Sequence, residues 1–222
     1  MTLQIENLTY YYTQNPDDYL FKDVNEEFKE GIVYAILGSS GSGKTTLLSL
    51  LAGLDSPKGG LVKFDNVDIK KQGLTKYRLQ SVSTVFQSFN LLTYMNAYQN
   101  VKTAINISHV NYEDEKQAIL DILVKVGLGE DQIYKPVKQL SGGQQQRVAI
   151  ARSLITQSKV IIADEPTGNL DEATTQEIVA IFKQIAHEEN KIVIIVTHEG
   201  EVATASDIIY ELKDRQFKQK IK

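Results

Sequence analysis

Gly38-Ser39-Ser40-Gly41-Ser42-Gly43-Lys44-Thr45 sits between a β-branched run, Ile32 to Leu37, and an apolar stretch carrying Leu47, Leu48 and Leu51. A G-x-x-x-x-G-K-[ST] segment between a strand and a helix is a cradle for phosphate. The chemistry needs these residue types. Glycines let the backbone curl until successive N–H groups face one anion. The helix that starts at Lys44 adds its positive N-terminal end. Lys44 is expected to reach the β- and γ-phosphates of a nucleotide, and Thr45 to offer its hydroxyl to Mg²⁺. The pattern alone does not separate a kinase, a GTPase, a helicase and a transporter motor.

Two further clusters narrow the chemistry. Val160-Ile161-Ile162-Ala163 ends in Asp164-Glu165. A hydrophobic strand ending in Asp is the Walker B arrangement, in which Asp164 is expected to hold Mg²⁺. Glu165 follows at the carboxyl end of the strand, where ligands bind in open α/β sheets, and can orient and deprotonate an attacking water. Alone, the Asp-Glu pair reads equally well as solvated loop; the upstream cradle favours the catalytic reading. The third cluster is Leu140-Ser141-Gly142-Gly143-Gln144-Gln145, followed by a helix-compatible run, Gln146 to Ile155. Ser141 can cap that helix, and the two glycines let a phosphate approach its start. One nucleotide needs one cradle. A second glycine-bearing helix start is explained if it binds the γ-phosphate of a nucleotide held by another copy of the chain.

The elements that position these groups are legible in the spacing. Ile32 to Leu37, Val160 to Ala163 and Ile192 to Val196 read as buried parallel strands. Ile119, Ile122, Leu123 and Val126 fall at helical spacing with Gly127 as C-terminal cap, and Ile178, Ile181, Phe182 and Ile185 repeat it. The first 30 residues read as antiparallel strands, Leu3 to Tyr10 and Leu20 to Phe28, joined by a polar turn with Pro16, Asp17 and Asp18. Gly59-Gly60 reads as a tight turn before a strand at Leu61 to Phe64. Residues 89–157 carry almost only helical patterns. The 222 residues suit one domain. The formal charge of −4 argues against broad, sequence-independent nucleic-acid binding, which needs clustered Lys and Arg. The absence of cysteine excludes disulfides, thiolate catalysis and Cys-ligated zinc. The N-terminus lacks a signal-peptide core. The longest apolar runs, such as Ile192 to Val196, fall far short of the roughly 20 residues of a membrane span. Any action at a membrane therefore calls for a partner.

Together these motifs resemble the ABC ATPase family over nearly the whole chain and in the family's order. Leu140 to Gln144 match its signature. Gln87, in Val85-Phe86-Gln87, matches the glutamine that touches Mg²⁺ and the lytic water and links to the transmembrane partner. Asn169-Leu170-Asp171 match the segment that crosses the dimer interface, which brings Asp171 into the nucleotide-binding set. His198, after Thr197, matches the histidine that contacts the γ-phosphate. Tyr12 best matches the aromatic that stacks on adenine, with Tyr11 as alternative. The resemblance implies an α/β fold: a P-loop NTPase (RecA-like) parallel-sheet core with an N-terminal antiparallel β subdomain and an inserted α-helical subdomain. Residues 1–88 and 158–222 would form the core and 89–157 the helical lobe.

The resemblance further implies ATP and Mg²⁺ as ligands. Each ATP would lie between Gly38–Thr46 of one copy, Thr46 included, and Ser141–Gln144 of the other. Glu165, His198, Gln87 and Lys44 would perform hydrolysis, and Thr45, Gln87 and Asp164 would hold the metal. The expected partners are a second copy and a separate transmembrane permease that keeps the chain at the cytoplasmic face of a membrane; nucleic acid is not expected. Phe86 to Leu92, Leu140 to Arg147 and Ala163 to Asp171 look like the macrolide-, lipoprotein- and peptide-antibiotic-type branch, which favours export or extraction. Ser39 replaces the branch's commoner proline and Thr45 its commoner serine, both preserving the chemistry. An additional C-terminal regulatory domain is not expected. The alternative is an ABC ATPase without a permease, such as a cluster-assembly type.

Overall fold

Strands that are apolar nearly throughout form the centre of one sheet, and a strand that alternates runs through the middle of the other. The computed structural model describes residues 1–13, 18–213 and 216–220, so Pro16 and Asp17 of the expected turn lie outside the described residues. The chain opens with β1 (Thr2–Tyr10) and β2 (Phe21–Lys29), paired antiparallel from Thr2 opposite Lys29 to Tyr10 opposite Phe21. Leu3, Ile5, Leu8 and Tyr10 of β1 are buried. Then come β3 (Ile32–Leu37), α1 (Lys44–Leu51), β4 (Gly59–Phe64), β5 (Val67–Asp68), α2 (Ile69–Gln72), α3 (Leu74–Gln80) and β6 (Val82–Phe86). Four helices follow without an intervening strand: α4 (Ala97–Ser108), α5 (Glu115–Lys125), α6 (Glu130–Ile133) and α7 (Gly142–Leu154). The chain returns through β7 (Val160–Asp164), α8 (Glu172–Glu189), β8 (Ile192–Thr197), α9 (Gly200–Ala205), β9 (Ile208–Lys213) and β10 (Gln216–Lys220).

The larger sheet has the order β10-β9-β3-β8-β7-β6, parallel except for the antiparallel edge strand β10. The smaller sheet, β2-β1-β4-β5, is antiparallel. Side chains on a strand alternate between faces, and each face of the large sheet meets a different core. Val33, Ile161, Ala163, Val193 and Ile195 face a cluster that continues into α4, α5, α7 and α8. Tyr34, Ile36, Val160, Ile162, Ile194 and Val196 face a second cluster shared with α1 and the small sheet. The central strands are thus covered on both sides, which explains their unbroken apolar sequences. The fold is the expected α/β P-loop architecture.

One local expectation needs correction. Gly59-Gly60 does not form a turn ahead of a strand; both residues belong to β4. Gly60 has φ +71°, and a Cβ there would lie 2.2 Å from the Glu6 carbonyl oxygen. The pairing of β4 with β1 shifts register between Glu6 and Thr9 at this spot. The close approach of two backbones, not a reversal, requires the glycine. The large sheet also holds β6, β9 and β10, strands on which the apolar-run criterion is silent.

Candidate functional site

Register places the chemistry. In the large sheet Leu37 pairs with Thr197, Val196 with Asp164 and Asp164 with Phe86. The carboxyl ends of β3, β8, β7 and β6 are therefore level. The residue that follows each end is Gly38, His198, Glu165 and Gln87 respectively. Four segments far apart in sequence converge because parallel strands of matched length stop together, at the edge where α/β sheets bind ligands.

The cradle follows β3. Gly43 takes φ +104°, and a Cβ there would sit 3.0 Å from a Leu20 methyl, so the loop turns into α1 against β2's approach. No side chain caps the start of α1. Its leading N–H groups are orphans that suit an anion. The Lys44 Nζ donates to the carbonyls of Gly38 (2.7 Å) and Ser39 (3.0 Å) and lies 3.8 Å from Glu165 Oε1. His198 Nδ1 lies 3.1 Å from the same Glu165 oxygen. Glu165 holds φ +45°, an uncommon conformation for a non-glycine residue. Its N–H donates to the Val196 carbonyl at 2.8 Å, and its carbonyl accepts the Gly168 N–H at 3.2 Å. Neighbouring strand and loop thus hold the carboxylate in a backbone geometry that local preference disfavours, as functional sites often do.

Lys44 and Glu165 line one cleft of about 500 Å³, with His198 outside its wall and reaching it through Glu165. Ser40, Gly41, Gly43, Lys44, Thr45 and Thr46 form one side, and Gln87, Asp164 and Glu165 the other. Tyr12 overhangs it, 71% exposed, with its hydroxyl hydrogen-bonded to that of Thr46 and its ring edge-on to Tyr10. Leu20 also lines the cleft, a wall residue that carries no signal in the sequence. Burial first, and then the negative charge of Glu165, raise the Asp164 carboxyl above the usual value, with Lys44 opposing. An added cation would reverse that balance. A hydroxyl at Thr45, a carboxylate at Asp164 and an amide oxygen at Gln87 are hard oxygen donors, and Mg²⁺ is commonly held by one or two carboxylates together with substrate phosphates. The donor set fits that ion.

The other predicted residues lie apart from the cleft wall. Gly38, Ser39 and Ser42 form the body of the loop. Ser141 caps α7 with a reciprocal capping box: its Oγ accepts the Gln144 N–H at 3.3 Å and the Gln144 Oε1 accepts the Ser141 N–H at 2.9 Å. Asp171 caps α8, its Oδ1 accepting the Thr174 N–H (3.0 Å) and its Oδ2 the Thr174 hydroxyl (2.7 Å). Neither Ser141–Gln144 nor Asp171 lines the cleft of its own chain. They pack on each other instead: a Cβ at Gly142 would stand 3.3 Å from Leu170, and one at Gly143 2.4 Å from the Thr174 methyl. Asn169 bridges toward the cleft, exchanging 3.4 Å hydrogen bonds with Gln87. Among the described residues no helix is long and apolar enough to cross a membrane.

Comparison with known proteins gives a consistent result. A family model described as "ABC transporter" matches residues 21–168. The uncharacterized ABC transporter ATP-binding protein YclH of Bacillus subtilis is 48% identical over 215 residues, covering 97% of this chain and 95% of that protein. The lipoprotein-releasing system ATP-binding protein LolD of Rickettsia felis is 43% identical over 215 residues, covering 95% of each. A dimeric post-hydrolysis structure of the ATP-binding cassette MJ0796, bound to ADP and Pi, superimposes with a TM-score of 0.85 at 35% identity, covering 98% of this chain and 97% of that one; the cassette is from Methanocaldococcus jannaschii.

Proposed function

Because the chain belongs to the ABC transporter family of ATPases, we propose that it is the ATP-hydrolysing subunit that drives a separate transmembrane permease, closing head to tail with a second copy around two ATP molecules. The observation that carries the reading is the convergence of Lys44 and His198 on one oxygen of Glu165, at 3.8 and 3.1 Å, beside an uncapped helix start. In this reading the α1 N–H groups and Lys44 bind the β- and γ-phosphates. Lys44 exchanges its bonds to its own loop carbonyls for bonds to phosphate oxygens. Glu165, held by the Val196 carbonyl and Gly168 amide, accepts a proton from the attacking water, and His198 orients that water and the γ-phosphate. Thr45, Asp164 and Gln87 would hold Mg²⁺, which supplies charge neutralisation on the phosphates.

The placement of Ser141–Gln144 supports the head-to-tail arrangement. These residues present a glycine-bearing helix start that does not line its own chain's cleft, and in this reading the phosphate it meets belongs to a nucleotide held by a neighbouring copy. Such a clasp binds nucleotide better when closed than when open, which is the condition for a population shift. A second groove, between β6 and α4, is lined by Leu54, Phe86, Leu92, Ile107 and Arg152 among others, with Leu54 and Ile107 exposed. It adjoins the Gln87–Leu92 segment and suits the permease. Likeness to the lipoprotein-releasing relative supports export or extraction of a lipid-linked, peptide or antibiotic cargo, with the chain held at the cytoplasmic face through its permease.

The test is Glu165→Gln. It removes the base and keeps the shape, so ATP binding persists while phosphate release slows by about 10²–10⁴-fold. Turnover at the wild-type rate would overturn the assignment of the base.

A further inference from the structure

Three glutamines follow one another at the start of α7 and fare differently. Gln144 closes the capping box through its Oε1. Gln145 donates its Nε2 to the Leu140 carbonyl at 2.9 Å. Gln146 is fully buried, and neither its Nε2 nor its Oε1 has a hydrogen-bond partner. Among the described residues it is the one side chain with both polar ends buried and unpartnered. Buried amides are almost always bonded, and an exception calls for an explanation.

Its position suggests one. Gln146 lies four residues after Gly142 and three after Gly143, on the same face of α7. That face rests on Phe89, Asn169, Leu170 and Thr174. These residues continue from Gln87 and Glu165 of the cleft, and Gln87 and Asn169 are joined only by long 3.4 Å bonds. Arg152, further along α7, ties the helix to the carbonyls of Phe89 and Asn90 at 3.0 and 2.6 Å. The helix face that carries Gln146 therefore forms the seam where the second glycine-bearing helix start meets the loops leading from the first. Apolar contact alone would favour Met or Leu at such a spot; an amide is favoured where the seam has a second arrangement that satisfies it.

We infer that Gln146 is a positioning residue for the ATP-clasped state: its amide gains hydrogen bonds to the Phe89–Asn90 and Asn169–Leu170 backbone when the seam tightens, which biases the chain toward closure. This inference rests on the head-to-tail clasp proposed above. Replacing the amide by an apolar side chain of similar volume removes an unpaired group from the nucleotide-free form and a bonded group from the clasped one. The two states respond with opposite sign, which a purely structural role does not produce.

The experiment compares Glu165→Gln with Glu165→Gln/Gln146→Met, full-length, by thermal melting without nucleotide and by sedimentation across an ATP titration. The expected result is a melting temperature equal to or above the parent's without nucleotide, together with a tenfold or greater rise in the ATP concentration for half-maximal dimerisation. Gln146→Leu provides a second apolar shape. A lower melting temperature in both variants, failure of both to fold, or an unchanged ATP midpoint overturns the inference. Absence of an ATP-dependent dimer in the Glu165→Gln parent sinks the clasp itself and the inference with it.

Discussion

Gly143→Ala separates stability from function in a way the seam geometry makes quantitative. The added methyl would lie 2.4 Å from the Thr174 Cγ2, about 1 Å inside an ordinary carbon–carbon contact. Thr174 cannot turn aside freely, because its hydroxyl is bonded to Asp171 Oδ2 at 2.7 Å. Rotation forfeits that bond; holding it strains the packing by about 1–3 kcal/mol. Against either stands the helix preference of alanine over glycine, about 1 kcal/mol. The net loss is no more than about 2 kcal/mol, and for a chain of this length the melting temperature falls by no more than about 8 °C. Activity suffers more. A displacement of about 1 Å in a positioning element can cost about 100-fold, and this one moves both the α7 start and the Asp171 cap. Steady-state ATPase and thermal melting are read side by side on Gly143→Ala, Thr174→Ser and the double variant. Serine lacks the clashing methyl and keeps the hydroxyl, so Thr174→Ser alone stays near wild type and returns the double variant to within about tenfold of it, a coupling of more than about 1 kcal/mol. A double variant as inactive as Gly143→Ala alone would refute the steric reasoning.

Two further outcomes follow. Tyr12 is exposed but bonds the Thr46 hydroxyl and meets the Tyr10 ring edge-on, so Tyr12→Ala costs about 1–2 kcal/mol of stability and weakens ATP binding by about 1–3 kcal/mol if its ring stacks on adenine; Tyr12→Phe keeps the affinity, and calorimetry giving equal affinity for Tyr12→Ala would remove the stacking role. Asp207 accepts from the Val33 N–H at 2.8 Å and contacts His187 Nε2 at 2.9 Å; burial raises its carboxyl, but these partners and Lys183 outweigh it and hold the carboxyl below the usual range. A depressed folded-state value stabilises above the unfolded value of about 3.9 and is lost as pH falls through the folded one, so Asp207→Asn melts below wild type at neutral pH, with a gap that narrows below about pH 4; a gap independent of pH contradicts it.

Much of this site was legible in residue order. The phosphate loop reads directly because its chemistry needs a fixed spacing on one strand–loop–helix unit, and the Ser141 cap reads because Ser and Gln three apart are a local device. What failed to read is set by tertiary contacts. β6 carries Ser83 and Thr84 among its five residues, so it lacks the unbroken apolar run of β7 and β8, and only pairing along β7 makes it a strand. Glycines at 59 and 60 look like a turn until β1 is brought against them. The left-handed backbone of Glu165 runs against its residue type and is imposed by the Val196 carbonyl and Gly168 amide. Gln146 is polar in type, and only the tertiary structure buries it. Leu20 joins the cleft because β2 begins beside Gly43.

The claim on which the account depends is that Ser141–Gln144 of one copy close on the nucleotide held by another. The chain has no cysteine, so single introduced thiols report without background. Two Glu165→Gln chains, one with Ser40→Cys and one with Ser141→Cys, are mixed and treated with a short bis-maleimide linker in ATP or in ADP. A cross-linked heterodimer is expected to form in the mixture with ATP and to be absent with ADP. No heterodimer in ATP, or equal yields with both nucleotides, would contradict it.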